Sequence, residues 1–346
     1  MTTTSEKIRF DAAGFEAFAA RLDEPQWSMQ LRREAFEQFN AMGWPDRRSE
    51  DWIRSDLRPF KIDSYSLIGP PTDEKIETHV RLIEDVTLAG EVRTVDGAVA
   101  SEWVADDLNG VTFCNLHRAL RDKSDLVRPH LWTVSDPSAD RYAALHAATW
   151  YGGAFLHVPR NTTVERPFHV HAAMRDGAYD SGHTLIVVDE NAEATVLYEE
   201  ASPSESAGGF HCGGLEIVVK PGGRLRFVQL QEWGLNAWNF GQQRAVIDRD
   251  GSIQWTIAAM GSRFTQVSQQ VKLAGKGAHS QVNGVMFTRE NQQITYNTLQ
   301  EHVAAGCTSD FLYKAALQDR SRTVWRGMIR VAPGAFKPTA TSGTTT

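Results

Sequence analysis

Positions 321–335 of the chain read SRTVWRGMIRVAPGA. Apolar and polar residues alternate between Thr323 and Val331, and turn-forming residues lie on both sides, at Gln318–Ser321 and at Pro333–Gly334. Alternation of this kind between two turns is typical of a β-strand with one buried face. We therefore predict a β-strand over Thr323–Val331.

Many further short β-type runs come before this strand, from Gly153 onward. They lie at 154–158, 168–172, 183–188, 194–198, 215–219, 225–230, 244–247, 253–257, 265–269, 280–284 and 293–296. Turn residues separate the runs and return at intervals of roughly 25–30 residues, which indicates a repeated unit. No long helical pattern lies between the runs, so a doubly wound sheet is excluded. Periodicity alone leaves a parallel β-helix, a β-sandwich and a jelly roll open.

Helical patterns are concentrated before the strands. Apolar residues recur at helical spacing over 15–22 and again over 31–39, and Gly43-Trp44-Pro45 ends the second of these helices. The region between Lys61 and Gly152 is mixed. We interpret three of its segments as a strand, a helix and a second helix, at 99–108, 111–120 and 141–150.

Composition restricts the classes of function. A hydrophobic content of 41% and a charged content of 23% are ordinary for a soluble globular protein. No apolar run approaches the roughly 18 residues of a membrane span, and the first residues lack the apolar core of a signal peptide. We therefore expect a cytoplasmic protein that binds no membrane. The net charge of −7 argues against a nucleic-acid partner, because such binding needs clustered Lys and Arg.

Cysteine and histidine positions restrict metal chemistry. The three cysteines, Cys114, Cys212 and Cys307, lie far apart without a CxxC pair, so neither a zinc ribbon nor a ferredoxin-type cluster is encoded. A cubane cluster usually takes four thiolates, and we predict that this chain alone holds no stable one. His302 and Cys307 are the candidate metal ligands, because imidazole and thiolate both suit soft metals. A structural role, with His302 bonded in a turn and Cys307 buried, is the alternative.

Two other histidine motifs receive structural interpretations. His169 and His171 lie on one face of a strand, and without a visible third zinc ligand we predict an exposed polar face. His211-Cys212 lies among glycines that follow no strand and precede no helix, so it is not a phosphate-binding loop and is predicted to be a flexible surface loop. No nucleophile elbow or spaced catalytic triad motif is present.

Two motifs resemble the SufB/SufD family of iron–sulfur cluster assembly proteins. The stretch at 321–335 is similar to the segment near the end of the family's β-helix core. The segment after Pro45 resembles the N-terminal motif of the SufD branch, with Ile53 and Arg54 replacing the family's basic–aromatic pair. Its matching residues are Glu50, Trp52, Ser55 and Leu57. From burial statistics, we expect Trp52 to be a packing anchor.

The resemblance implies a mainly β fold, a parallel β-helix preceded by an α-helical N-terminal region, and a scaffold role without enzymatic activity. SufD pairs with SufB through the β-helix, and each binds the SufC ATPase through a C-terminal helical domain. A nascent iron–sulfur cluster forms transiently at the SufB–SufD junction. On this chain the resemblance implies an N-terminal helical region (1–60), a mixed linking region (61–152), a β-helix core (153–337) and a non-family tail (338–346), with the C-terminal helical domain absent.

The tail departs from the family pattern after Lys337. The family continues Thr-Asp-Gly-Tyr-Gln-Arg, whereas this chain continues Pro-Thr-Ala-Thr-Ser-Gly-Thr-Thr-Thr. Deleting one base from a family-like message reproduces this tail and a stop codon, so we hypothesise a frameshift, either genuine or from sequencing. A chain truncated there would lose cover over Val324, Trp325 and Ile329. We expect it to be marginally stable, to lack the SufC-binding helices and not to recruit SufC.

Two alternative functions remain open at this point. A β-helix carbohydrate-active enzyme would need acids and bases clustered along one face of the coil, and the sequence reveals no such clustering. A cupin-like metalloenzyme would need a tighter motif of histidines and carboxylates than His169 and His171 supply.

Overall fold

The computed structural model describes residues 7–46, 48–68 and 76–345. Arg47, in the segment after Pro45 that resembles the family's N-terminal motif, lies outside these ranges. The helices are α1 (Ala12–Ala19), α2 (Gln26–Ala41), α3 (Leu116–Asp122), α4 (Ser124–Val127) and α5 (Arg141–Thr149), with a short 3-10 helix at Ile62–Ser64. Among these helices, none combines the length and the apolar character that a membrane crossing needs.

The strands occupy most of the chain after Ala89. They are β1 (Gly90–Val95), β2 (Ala98–Val104), β3 (Thr112–Asn115), β4 (Ala154–Val158), β5 (Phe168–Ala173), β6 (Tyr179–Asp180), β7 (His183–Val188), β8 (Glu193–Ala201), β9 (Gly208–Val219), β10 (Arg224–Trp233), β11 (Asn236–Ile247), β12 (Ser252–Gly261), β13 (Phe264–Leu273), β14 (His279–Thr288), β15 (Gln293–His302), β16 (Thr308–Leu317), β17 (Arg322–Val331) and β18 (Thr339–Thr345).

These strands wind into a parallel β-helix. The first sheet has the order β18-β16-β14-β12-β10-β8-β5-β1-β2, and the second has the order β17-β15-β13-β11-β9-β7-β4-β3, with β6 paired to β9. From β7 onward, consecutive long strands alternate between the sheets, and each pairs in parallel with the strand one coil away. For example, Leu225 of β10 pairs with Ile253 of β12, which pairs with Ser280 of β14. The result is a solenoid of about seven turns. The predicted fold is therefore confirmed, and a sandwich, whose sheets are antiparallel, is excluded.

Inward-facing side chains of both sheets fill the coil. In β12, the buried residues Ile253, Trp255 and Ile257 alternate with residues that are more exposed. Trp255 packs edge-on against Phe227 of the neighbouring coil, with ring centroids 5.3 Å apart. Burying one such side chain stabilises the fold by roughly 1.5–3 kcal/mol. Each coil obtains this burial from its neighbours, which makes the stack cooperative.

The corners of the coil use residues that tolerate a left-handed backbone. Asn191, Asp250 and Asp319 have φ angles of 54°, 56° and 58°, and Asn and Asp adopt this region more readily than other non-glycine residues. Gly222 serves a similar corner with φ 68°. The predicted turns are confirmed at 190–192, 221–223, 248–251 and 275–277.

Helices α1, α2 and α5 cover part of the outer face of the second sheet. Tyr142 of α5 stacks on Phe240 of β11 with ring centroids 3.8 Å apart, and Trp52 stacks on Tyr142 at 5.4 Å. Trp52 is only 6% exposed, so its predicted packing role is confirmed. Asp11 and Asp140 are the N-cap residues of α1 and α5, and their carboxylates each accept a hydrogen bond from the amide three residues later.

Three segments differ from the sequence-based expectations. Residues 112–115 form β3, so the helix predicted over 111–120 begins only at Leu116. Strand β1 precedes Gly153 and yet joins the first sheet, in parallel with β5. The threonine-rich tail forms β18, which pairs with β16, because β-branched residues suit an extended backbone.

The strand predicted over Thr323–Val331 exists as β17 but is not the last of the coil. Its Trp325 is half-buried and packs against the main core.

Candidate functional site

The candidate metal ligands lie at the turn between β15 and β16. His302 ends β15, and its Nε2 lies 2.8 Å from the hydroxyl of Ser309. Cys307 is fully buried, and its thiol donates to the carbonyl oxygens of Ala304 and Gly275, at 3.1 and 3.3 Å. Burial lowers the pKa of His302, which favours the neutral imidazole that binds metals. No group of three His, Cys, Asp or Glu in the described ranges could hold a metal ion. Metal binding by His302 and Cys307 stays a prediction.

The other two cysteines are also poor ligands in this conformation. Cys114 lies in β3 and Cys212 in β9, and both are buried. Burial raises the pKa of the Cys114 thiol and raises the pKa of the Cys212 thiol well above its usual range. Because the thiolate is the form that binds metal, burial opposes cluster ligation by these two side chains.

His169 and His171 are buried, so the predicted exposed face is wrong. Their exposed fractions are 0% and 2%, and their ring centroids lie 6.0 Å apart. His169 lies between two carboxylates, 3.0 Å from Glu91 and 3.8 Å from Glu199. The hydroxyl of Thr78 lies 3.1 Å from His171 Nε2. The strand is covered by a segment distant in sequence, and a local pattern of alternation contains no information about that cover.

The glycine-rich stretch around His211 and Cys212 is a buried strand, so the predicted surface loop is also wrong. It forms the first half of β9. A Cβ atom at Gly213 would lie 2.2 Å from His211 Nε2, and one at Gly214 would lie 2.3 Å from His146 Nε2. The glycines therefore allow imidazole rings to pack directly on the strand, and they do not indicate a flexible chain.

A buried chain of polar groups joins α5 to the second sheet. His146 Nδ1 lies 2.7 Å from the carbonyl oxygen of Cys212, and His146 Nε2 lies 3.0 Å from His183 Nδ1. A carbonyl only accepts, so His146 Nδ1 carries the proton of the first bond. Burial, together with the nearby His183, holds the pKa of His146 well below its usual value. His146 is therefore neutral, and its Nε2 accepts from His183.

Glu216 is the last member of this series of buried polar groups and lies beyond His183. Its carboxylate lies 3.3 Å from His183 Nε2 and accepts hydrogen bonds from the backbone amides of Trp132, Val134 and Ser135, at 2.7, 3.0 and 2.8 Å. Trp132 has a φ of 59°, a conformation that is unusual for a bulky residue. His183 therefore lies between His146 and the Glu216 carboxyl group, and it links α5 to this carboxyl group. The carboxyl group thus fixes a strained loop to β9.

A second polar chain runs through the interior of the coil, and we call it the interior polar row. Its members, in order of contact, are Asp180, His211, Glu200, Gln229, Gln243, Gln269 and Tyr313. Successive polar atoms lie 2.6–3.3 Å apart. The row crosses the coil from β6 to β16, so the interior is not purely apolar.

The carboxylates of the interior polar row control its histidine. Burial alone would lower the pKa of His211, but the hydrogen bond to Asp180 and the charges of Asp180 and Glu200 outweigh burial and raise that pKa. Burial raises the pKa of Glu200. This end of the row can therefore hold a proton inside the fold. Sequence reasoning missed the row, although glutamines at inward-facing strand positions, such as Gln229, were a usable signal.

The two stretches that carry the family resemblance meet in the structure. Arg326 of β17 forms ion pairs with Glu50, at 2.8 Å, and with Asp51. The hydroxyl of Ser55 donates to Gln266 Oε1 of β13 at 2.9 Å, and Gln266 Nε2 donates to the carbonyl oxygen of Asp51 at 2.9 Å. The N-terminal motif thus extends over the outer surface from β13 to β17.

Two family models together account for nearly the whole of this architecture. The model described as SufBD protein N-terminal region matches residues 19–170, and the model described as SUF system FeS cluster assembly, SufBD core domain, matches residues 170–344. The chain belongs to the SufBD family. The boundary between the two SufBD matches falls inside β5, so both regions contribute to one continuous coil.

Curated relatives of the SufBD family extend over most of the chain. It is 27% identical to the iron–sulfur cluster assembly protein SufB of Bacillus subtilis, over 92% of this chain and 72% of that protein. It is 24% identical to iron–sulfur cluster assembly SufBD family proteins of Staphylococcus saprophyticus and Staphylococcus epidermidis, in each case over 90% of this chain and 70% of the relative.

Proposed function

We propose that this chain is a SufD-like scaffold subunit for iron–sulfur cluster assembly, which acts in the cytoplasm with SufB and the SufC ATPase. The observation that carries the proposal is the contact of Arg326 with Glu50 and Asp51. That contact joins the SufD-type N-terminal motif to the strand with the family's core motif. Interactions that hold both motifs in one surface support a shared role for them.

In this proposal the cluster is cargo, and the chain is not itself an enzyme. Cys212 is buried with a raised pKa, and the Cys307 thiol is bonded to carbonyl oxygens. A nascent cluster would therefore draw ligands from SufB and would be shared only transiently with this chain. ATP hydrolysis would belong to SufC. Membership of the SufBD family disfavours the alternative of a carbohydrate-active enzyme.

A SufB-like role is the second candidate. It is favoured by the 27% identity to the SufB protein of Bacillus subtilis. The two candidates differ in which missing subunit this chain can replace, and that difference can be measured directly.

Complementation combined with co-purification tests the proposal. The chain is expressed in one bacterial strain that lacks SufD and in another that lacks SufB, and growth is measured where the SUF system is essential. We expect the tagged chain to retain SufB, and we expect no rescue of the strain that lacks SufB. Rescue of only the strain that lacks SufB would establish the second candidate. Failure to retain SufB would refute the SufD-like assignment.

A further inference from the structure

A basic groove crosses the outer face of the second sheet. One wall is formed by residues that follow α4, and strand residues form the floor; the wall residues are Pro129, His130, Thr133 and Val134. The cavity has a volume of about 460 Å³. The basic residues of its lining are Lys220, Arg244, Lys272 and Arg330. A concave, positively charged region is unexpected on a chain with a net charge of −7.

Two of these four basic residues already have hydrogen-bonding partners within the protein. Arg330 pairs with Glu301 at 2.5 Å. Arg244 is nearly buried and donates to the carbonyl oxygens of Gln243 and Ser268, at 2.9 and 2.5 Å. These contacts hold the two guanidinium groups within the protein's own network.

Lys220 and Lys272 are different. In the part of the chain that the structure describes, neither lysine forms an ion pair with an acidic side chain. Burial lowers the pKa of His130 in the groove wall, and the positive charge of the nearby Lys220 lowers that pKa further. The groove therefore contains two ammonium groups outside any described ion pair, and the carboxylate in its lining, Glu301, lies opposite Lys272 and pairs with Arg330.

The strand register determines the spacing of these two lysines. Val218 of β9 pairs with Val246 of β11, which pairs with Lys272 of β13, and Lys220 lies two residues beyond Val218. Strand and residue spacings place the two lysine Cα atoms about 12 Å apart. Their flexible side chains can converge on one ligand that carries two negative groups. Val218 and Val246 supply apolar surface between them.

We propose that the basic groove binds a small molecule of nucleotide size that carries two or more phosphate groups. The volume of the groove falls in the range of roughly 300–1,000 Å³ that is typical of small-molecule sites. Lysine binds phosphate as a point charge without a fixed geometry, which suits two separate ammonium groups. The apolar floor fits the non-phosphate part of such a ligand. This site goes beyond the scaffold role and does not depend on it.

Calorimetric titration of the full chain tests the site, with inorganic pyrophosphate, ADP and adenosine as the probes. We expect pyrophosphate and ADP to bind, adenosine not to bind, and added salt to weaken binding through screening. The double variant Lys220→Gln/Lys272→Gln should weaken ADP binding by about tenfold or more, because charge-assisted contacts are lost. The matched control is Lys276→Gln/Lys314→Gln, which removes two exposed lysines elsewhere and should bind ADP as the parent does.

The outcomes are distinct. Retained circular dichroism spectra, and recovery of binding in Lys220→Arg/Lys272→Arg, separate a charge effect from misfolding. The proposal is overturned if neither pyrophosphate nor ADP binds at millimolar concentration, or if the Gln double variant binds as well as the parent. Lysine-dependent binding of a polyglutamate peptide without phosphate binding would also overturn it, and would identify a protein-docking surface. The assay omits SufB, so its failure leaves the SufD-like assignment unaffected.

Discussion

Replacing Glu216 with alanine tests whether one buried carboxylate holds the loop between α4 and α5 to the solenoid. The substitution removes the acceptor of three backbone amides, those of Trp132, Val134 and Ser135, and the partner of His183. Each buried donor without a partner costs roughly 1–3 kcal/mol. The buried imidazole of His183 also loses its partner, while relaxation of the loop toward water offsets part of the sum. We expect Glu216→Ala to lower the free energy of unfolding by about 3–5 kcal/mol.

Urea unfolding, followed by tryptophan fluorescence, measures this change as a shift of the midpoint. A loss of that size is a large part of the roughly 5–15 kcal/mol that stabilises a typical domain. The matched control is Glu193→Ala in β8, because Glu193 is exposed and its nearest cation, Arg224, lies 3.9 Å away. Exposed pairs of this kind contribute about 0–1 kcal/mol, so the control should change little.

Hydrogen exchange identifies the cause of the loss. In Glu216→Ala, the amides of Trp132, Val134 and Ser135 should exchange much faster, while those of β12 in the middle of the coil should keep most of their protection. The reasoning is refuted if Glu216→Ala is no more destabilising than Glu193→Ala, or if exchange at the three loop amides is unchanged.

Three further predictions concern other parts of the chain. Arg326→Ala should release the segment with Glu50 and Asp51 and lower the free energy of unfolding by roughly 1 kcal/mol. Trypsin should then cleave the chain faster before α3, and an unchanged cleavage rate would contradict the prediction. Burial opposes ionisation of Glu24, but the charge and hydrogen bonds of Arg32 prevail and lower its pKa to about 2. The resulting stability is present above the unfolded pKa of about 4.5 and is lost as pH falls toward 2. Between these limits the parent should lose about 3 kcal/mol more of its free energy of unfolding than Glu24→Gln, measured by urea unfolding at each pH. Parallel pH profiles of the two proteins would refute this. Anaerobic reconstitution with iron and sulfide should leave no stoichiometric cluster after gel filtration, whereas a stable visible absorbance band would show that the buried thiols can be recruited.

Local patterns were sufficient for most of the strands and turns after Gly153. The run Ile253–Ile257 lies inside β12, and the helix predicted over 141–150 agrees with α5. In both cases the periodicity of the apolar residues reflects one buried face. Alternation alone could not predict the parallel stacking of the strands, since a sandwich and a β-helix produce the same alternation. Only the family resemblance separated them.

The polar sites were not predictable from local patterns, because their partners are distant in sequence. Glu216 binds a loop 81–84 residues away, and His171 is covered by Thr78, 93 residues away. Alternation indicates which residues face inward, but it does not indicate that an inward glutamine such as Gln243 will find a partner in the next coil. The glycine-rich pattern around Gly213 and Gly214 predicts a flexible loop, whereas in the structure these glycines allow close ring packing.

The contact between the N-terminal motif and the coil changes how the solenoid should respond to stress. In a simple solenoid each coil contacts only its neighbours, so the ends can open independently of the middle. Here Arg32 of α2 donates to the carbonyl oxygen of Trp150 at 2.8 Å, before the coil's long strands begin, while Asp51 contacts Arg326 in β17. One N-terminal region is therefore attached near the first and the last coils, and opening either end breaks contacts with that same region. The N-terminal region thus adds long-range coupling to an otherwise nearest-neighbour fold.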